Sequence, residues 1–156
     1  MESATEIHQI EKELTIDASP ETVWELLVDP DKATAWMGQK ASFEPRPGGT
    51  YRVEVIPGHT ARGQFVELDP PRRLVYTWGW EESEGESNPV PPGSSTIEIE
   101  LVALDGGTHL RFVHRDLPST EAADSHKHGW DHYLERLNVA AAGGDPGTDP
   151  WLSGEM

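Results

Sequence analysis

The sequence predicts an α+β fold in which an antiparallel sheet is covered by one long C-terminal helix. Three observations carry that expectation. Strand-like alternation recurs six times at hairpin-length spacing between residues 40 and 114. Two short, capped helices follow an earlier strand, and residues 119–141 carry one apolar stripe at helical spacing. The element order is therefore β-α-α-β6-α.

The first strand is expected over residues 7–17, where Ile10, Leu14 and Ile16 face one way and Glu11, Glu13 and Thr15 the other. Ser19 caps a short helix with Pro20 at its first position, and Val23, Trp24 and Leu27 share its inner face. Asp29-Pro30 repeats the device and opens a second helix running to Trp36, with Gly38 closing it. Strands then follow at Lys40–Glu44, Thr50–Ile56, Arg62–Leu68, Leu74–Trp80, Thr96–Leu101 and Thr108–His114. Pro47-Gly48-Gly49, Pro57-Gly58, Asp69-Pro70-Pro71 and Asp105-Gly106-Gly107 supply turns between them. Such links indicate a meander, and one face of it must be covered.

The covering element is the run from Ser119 to Ala141. Ala122, His126, Trp130, Tyr133, Leu134, Leu137 and Ala141 form its inward stripe, and Asp124, His128, Asp131, Glu135 and Asn138 its polar face. At 1.5 Å per residue it is roughly 33 Å long. Gly143-Gly144-Asp145-Pro146 stops it.

Two segments lie outside this pattern. Residues 81–93 hold four glutamates, three prolines and two glycines, and are expected to form a mobile acidic loop or a flap over a pocket mouth. Residues 142–156 are expected to be an extended tail after a domain spanning 7–141. Trp151 and Leu152 are its natural anchor, docking on this domain or on a second copy of the chain in a homodimer.

Composition narrows the function classes. The net charge of -16, from 28 acids and 12 bases, argues against nucleic acid and anionic membranes as partners. It suits solubility, a salty cytoplasm or a basic partner. With no cysteine there is no disulfide, thiolate nucleophile or cysteine-ligated metal. No apolar run reaches membrane-spanning length and the N-terminus does not read as a signal peptide, so a cytoplasmic protein is expected.

Several short motifs occur in a telling order. They are Ala18-Ser19-Pro20-Glu21-Thr22-Val23-Trp24, Trp36 ending the second helix, and Pro47-Gly48-Gly49-Thr50-Tyr51. The run from Gly63 to Trp78, Gly107-Thr108-His109-Leu110 with His114, Gly129-Trp130, and Leu134 with Leu137 complete the set. Together they resemble the START-like (SRPBCC) superfamily, and within it the branch named for the C-terminal domain of the activator of the heat-shock-protein-90 ATPase. The resemblance covers residues 7–141. It implies a helix-grip fold, a curved antiparallel sheet wrapped around the long helix, with a cavity between the two. The fold hosts lipid carriers, hormone receptors and cyclases, so it does not specify a function.

Alternation and helical phase then nominate the residues lining that cavity. Trp36, Tyr51, Val53, Phe65, Tyr76, Trp78 and Trp80 come from the first half of the chain. Phe112, His114, His126, Trp130 and Leu134 come from the last strand and the helix. Most are ordinary core residues by type, whereas the clustered tryptophans suit a planar or hydrophobic ligand. His114 and His126 are either hydrogen-bonded core residues or acid–base groups, and no acid of matching phase sits beside them. His128 and His132 have a four-residue spacing that could seat a metal, but lie on the polar face without the glutamate of a zinc signature. No metal, phosphate loop or nucleophile elbow is expected, and no cofactor.

Three functions follow as expectations. The first is binding of a hydrophobic small molecule without chemistry. The second is a polyketide cyclase or dehydratase using His114, His126 or Tyr51. The third is a chaperone-associated interaction module.

Overall fold

A computed structural model of the chain describes residues 8–81 and 90–153. Strand β1 (His8–Ile16) leads into helices α1 (Pro20–Val28) and α2 (Pro30–Ala33). Strands β2 (Lys40–Phe43), β3 (Thr50–Ile56), β4 (His59–Asp69), β5 (Arg73–Trp78), β6 (Ser95–Leu104) and β7 (Gly107–Leu117) follow. The long helix α3 (Thr120–Ala141) and a 3-10 turn at Pro150–Ser153 complete the described elements.

The strands form one antiparallel sheet in the order β1-β7-β6-β5-β4-β3-β2. It is the expected meander, with β1 added to the free side of β7 so that Leu14 lies opposite Leu110. Register irregularities at His8/Ile10, Glu54/Ile56 and Phe65/Glu67 bend the strands, and the sheet curves around α3. Alternation puts Tyr51, Val53, Phe65, Tyr76, Trp78, Ile97, Ile99, Phe112 and His114 in the core. The opposite face is polar: Arg73 reaches Glu67, Glu98 and Glu100, while Arg111 reaches Glu11 and Glu100.

Side-chain caps start the helices as the sequence indicates. The hydroxyls of Ser19 and Ser119 accept from the backbone N–H of Thr22 and Ala122 at 3.2 and 3.1 Å. After α3, Gly143 adopts φ +90°, a conformation that glycine reaches without strain.

Two boundaries differ from expectation. Helix α2 ends at Ala33 rather than Trp36, which lies in the turn beyond it. There the Trp36 indole donates to the Leu26 carbonyl at 2.8 Å, fixing the turn through a side chain. Strand β5 stops at Trp78, and Trp80 makes only an isolated bridge to Ala61. The reason is Gly79, where a Cβ would lie 1.8 Å from the Pro91 carbonyl oxygen. The returning chain occupies the place of a continued ladder. Trp80 N–H instead bonds Val90 O at 2.8 Å, joining the two ends of the acidic segment. Residues 82–89 of that segment, and with them the flap, lie outside the described residues.

Helix α3 runs nearest to β1, touches α1 and β7, and stands further off from β3, β4 and β5. Helix and sheet therefore enclose a wedge that widens away from β1. Large aromatic side chains project into the wide part.

Candidate functional site in the helix–sheet wedge

The wide part of the wedge holds two linked aromatic groups. Tyr51 stacks on Tyr76 at 4.3 Å and on Phe43 at 4.7 Å, with Phe65 edge-on to Tyr51 at 5.7 Å. Tyr51 also lies 6.0 Å from Trp78, which opens the second group. Trp78 meets Trp80 at 5.4 Å and Trp130 at 5.1 Å, and Trp130 meets Phe112 at 4.7 Å. Burial raises the pKa of the Tyr51 and Tyr76 hydroxyls, so both phenols stay protonated near neutral pH.

The histidines sit within this second group, their rings 5.1 Å apart, and their partners fix their tautomers. Trp130 Nε1–H donates to His114 Nδ1 at 3.0 Å, so that nitrogen carries no proton. Ser95 Oγ–H donates to the Trp78 carbonyl at 2.8 Å, so its oxygen accepts from His114 Nε2–H, also at 2.8 Å. His126 repeats the arrangement with its nitrogens exchanged. Trp80 Nε1–H donates to Nε2 at 3.0 Å and Nδ1–H donates to the Ala122 carbonyl at 2.8 Å. Each ring accepts from an indole and donates to an oxygen. Adding a proton to either would set two N–H groups against each other.

The electrostatics agree. Burial, with His126 nearby, holds His114 well below the usual histidine range. Burial also lowers His126, partly offset by its bond to the Ala122 carbonyl. The Ser95–His114 contact superficially resembles a nucleophile–base pair. In a working pair the outer nitrogen donates to an acid and the inner one accepts from serine. Here an indole N–H occupies the acid's place, so His114 holds its proton toward Ser95 and cannot take one from it.

All twelve residues nominated from the sequence are found in the core or at its margin. Nine join the two aromatic groups, while Val53, Leu134 and Trp36 pack in the surrounding core. Trp80 and His126 are only half-buried and mark where the wedge approaches the surface. Sequence reasoning missed Phe43, which lies opposite Tyr51, and Ser95, whose position two before Ile97 gives it the same inward parity.

The polar face of α3 is only partly open to solvent. His128 stays exposed on that face as expected, whereas His132 is partly covered: Trp151 stacks on His132 at a ring distance of 3.8 Å and lies 5.2 Å from His128. The tail docks on its own domain. His132 Nε2 lies 2.8 Å from Asp149 Oδ1, which also accepts from Trp151 N–H at 3.0 Å. Burial raises the Asp149 pKa, but these two partners outweigh it and leave the carboxyl below its usual range. Arg136 fastens the segment, donating to the carbonyls of Trp36, Pro146 and Gly147 at 3.0, 3.1 and 2.9 Å. No local pattern announced Arg136, whose partners are backbone oxygens of other segments, or the pairing of Asp149 with His132 on α3.

The curved sheet, the long helix and the packed interface between them define a START-like, helix-grip protein. The family model described as Activator of Hsp90 ATPase homolog 1-like protein matches residues 17–142, and the chain belongs to that family. A search of the curated proteins finds no match. Among solved structures, the chain is similar to an AHSA1-like protein from Rhizobium etli at 46% identity, TM-score 0.74, covering 97% of this chain and 92% of that one. It is also similar to CalU16 from Micromonospora echinospora, at 26% identity, TM-score 0.65 and coverage of 83% and 73%. The Aha1 dimer from Colwellia psychrerythraea shares the fold, with 22% identity, TM-score 0.70 and coverage of 86% and 96%. Among the described residues, no helix is long and apolar enough to cross a membrane.

Proposed function

We propose that this protein binds a hydrophobic, ring-containing small molecule in the wedge between α3 and strands β3 to β5. The observation that carries the reading is the concentration of Tyr51, Tyr76, Trp78, Trp80 and Trp130 where the helix stands off from the sheet. Aromatic walls offer large contact area at low side-chain entropy cost and tolerate ligands that differ in detail. Access lies beside the first turns of α3, where the half-buried Trp80 and His126 meet. Binding is favoured over proton transfer because both interior histidines are held neutral, each accepting from an indole.

The test is a thermal-shift screen of the full chain against planar and aliphatic apolar compounds, followed by tryptophan quenching. A ring compound at 100 times its Kd should stabilise the fold by about 2.7 kcal/mol, which is several degrees in Tm. A library of both shapes that produces neither shift nor quenching overturns the reading.

A further inference from the structure

Among the described residues three buried side-chain atoms have no hydrogen-bond partner: Tyr133 Oη and Asp149 Oδ2, which belong to the tail side of α3, and Trp78 Nε1 in the wedge. Trp36, Trp80 and Trp130 donate their indole N–H groups to Leu26 O, His126 Nε2 and His114 Nδ1. Ser95 and His114 are matched donor to acceptor. Trp78 is the exception: its Nε1–H is fully buried and has no acceptor among the described residues, and its ring is only 2% exposed. A buried donor without a partner is costly and uncommon. This one sits at the centre of the second aromatic group, flanked by Tyr51, Trp80, His114 and Trp130.

The surroundings define what could meet it. Among the described residues, the buried polar side chains are Ser95, Thr108, His114 and Asp149. Asp149 belongs to the tail, and Thr108 donates to Ala18 O near the start of α1. Among the described residues no charged side chain is buried in the wedge to balance an ionised ligand, and burying an unpaired charge there is costly. What the site lacks is a neutral acceptor between flat rings.

Building on the binding function proposed above, we infer that Trp78 Nε1–H is the anchoring donor for the ligand, which is an uncharged planar molecule carrying a carbonyl-type oxygen. The ring system of the ligand packs against the indoles and phenols, and its oxygen takes the bond that no protein group supplies. Trp78 thereby discriminates carbonyl-bearing rings from hydrocarbons of the same outline.

Fluorenone and fluorene, rigid tricycles of one shape that differ by a carbonyl oxygen, separate these contributions. Calorimetric titration of the full chain should give fluorenone about tenfold tighter binding than fluorene, the gain expected for pairing a buried donor. In Trp78→Phe, whatever the loss of contact area does to both affinities, the two should bind within about twofold of each other. Independently, the Trp78 Nε1–H resonance of the wild-type chain should move downfield on adding fluorenone and not fluorene. That measurement decides the matter if the variant does not fold. Equal binding of both tricycles to the wild type, or a fluorenone preference that survives in Trp78→Phe, overturns the anchor while leaving the binding site intact. Failure of both tricycles to bind the wild type overturns the anchor and the aromatic site together.

Discussion

His114 and His126 show how a residue that looks chemical can be structural. Each ring nitrogen has a partner of one polarity, so the neutral form is built into the fold. The consequence appears in the pH dependence of stability. Both folded-state pKa values lie below the unfolded value of about 6.5, so the unfolded chain takes up protons first as pH falls. Their contribution is fully present above about pH 6.5 and is lost progressively below it. The slope should approach about 1.4 kcal/mol per pH unit for His114, with a smaller addition from His126. Carboxylates with lowered pKa values, such as Glu81 and Asp149, act only in a more acidic range. Urea unfolding between about pH 7 and pH 5 measures the slope, and His126→Gln should reduce it while leaving the larger His114 part in place. A flat profile across that range would show that the indole partners do not hold the rings neutral.

At the scale of elements, α3 uses both of its faces. The inner stripe packs Trp130, Leu134 and Leu137 into the core, and the outer face receives the tail through Trp151 and Asp149. Arg136 is the fastening between them, because one guanidinium reaches carbonyls of the α2 turn and of the tail. Its planar fork serves several acceptors at once, which a lysine ammonium does less well. Arg136→Ala should therefore cost about 2 kcal/mol of stability and expose residues 142–153 to proteolysis, with Arg136→Lys intermediate. Limited digestion with mass analysis reads both effects. A tail that stays protected in Arg136→Ala would assign the fastening to the Trp151 stack instead.

For the whole molecule, the dominant surface quantity is the net charge of -16. The outer face of the sheet carries a lattice of arginine–glutamate pairs across β1, β7, β6, β5 and β4. Exposed pairs of this kind contribute about 0–1 kcal/mol each, and the surplus acids repel one another. Self-repulsion should win, so Tm should rise as sodium chloride increases from about 20 mM to about 500 mM. A falling Tm would show that the arginine lattice outweighs the repulsion.

Read along the chain, periodicity alone determined the element order, the inward face of each strand and the apolar stripe of α3. These follow from local geometry: two residues per strand repeat and 3.6 per helical turn, with serine, proline and glycine marking the ends. The same parity located the aromatic interior, because Tyr51, Tyr76, Trp78 and His114 had only one side of the sheet to occupy. Tertiary structure alone decided what those residues do to one another. Whether a histidine is a base or a bonded core group depends on which atom meets each nitrogen, and those atoms come from Trp80 just beyond β5, from β6 and from α3. The end of β5 at Trp78 and the docking of Trp151 likewise depend on segments distant in sequence. Hydrogen bonding and stacking are properties of pairs brought together by folding, and the unmatched indole of Trp78 becomes visible only when every pair around it is in place.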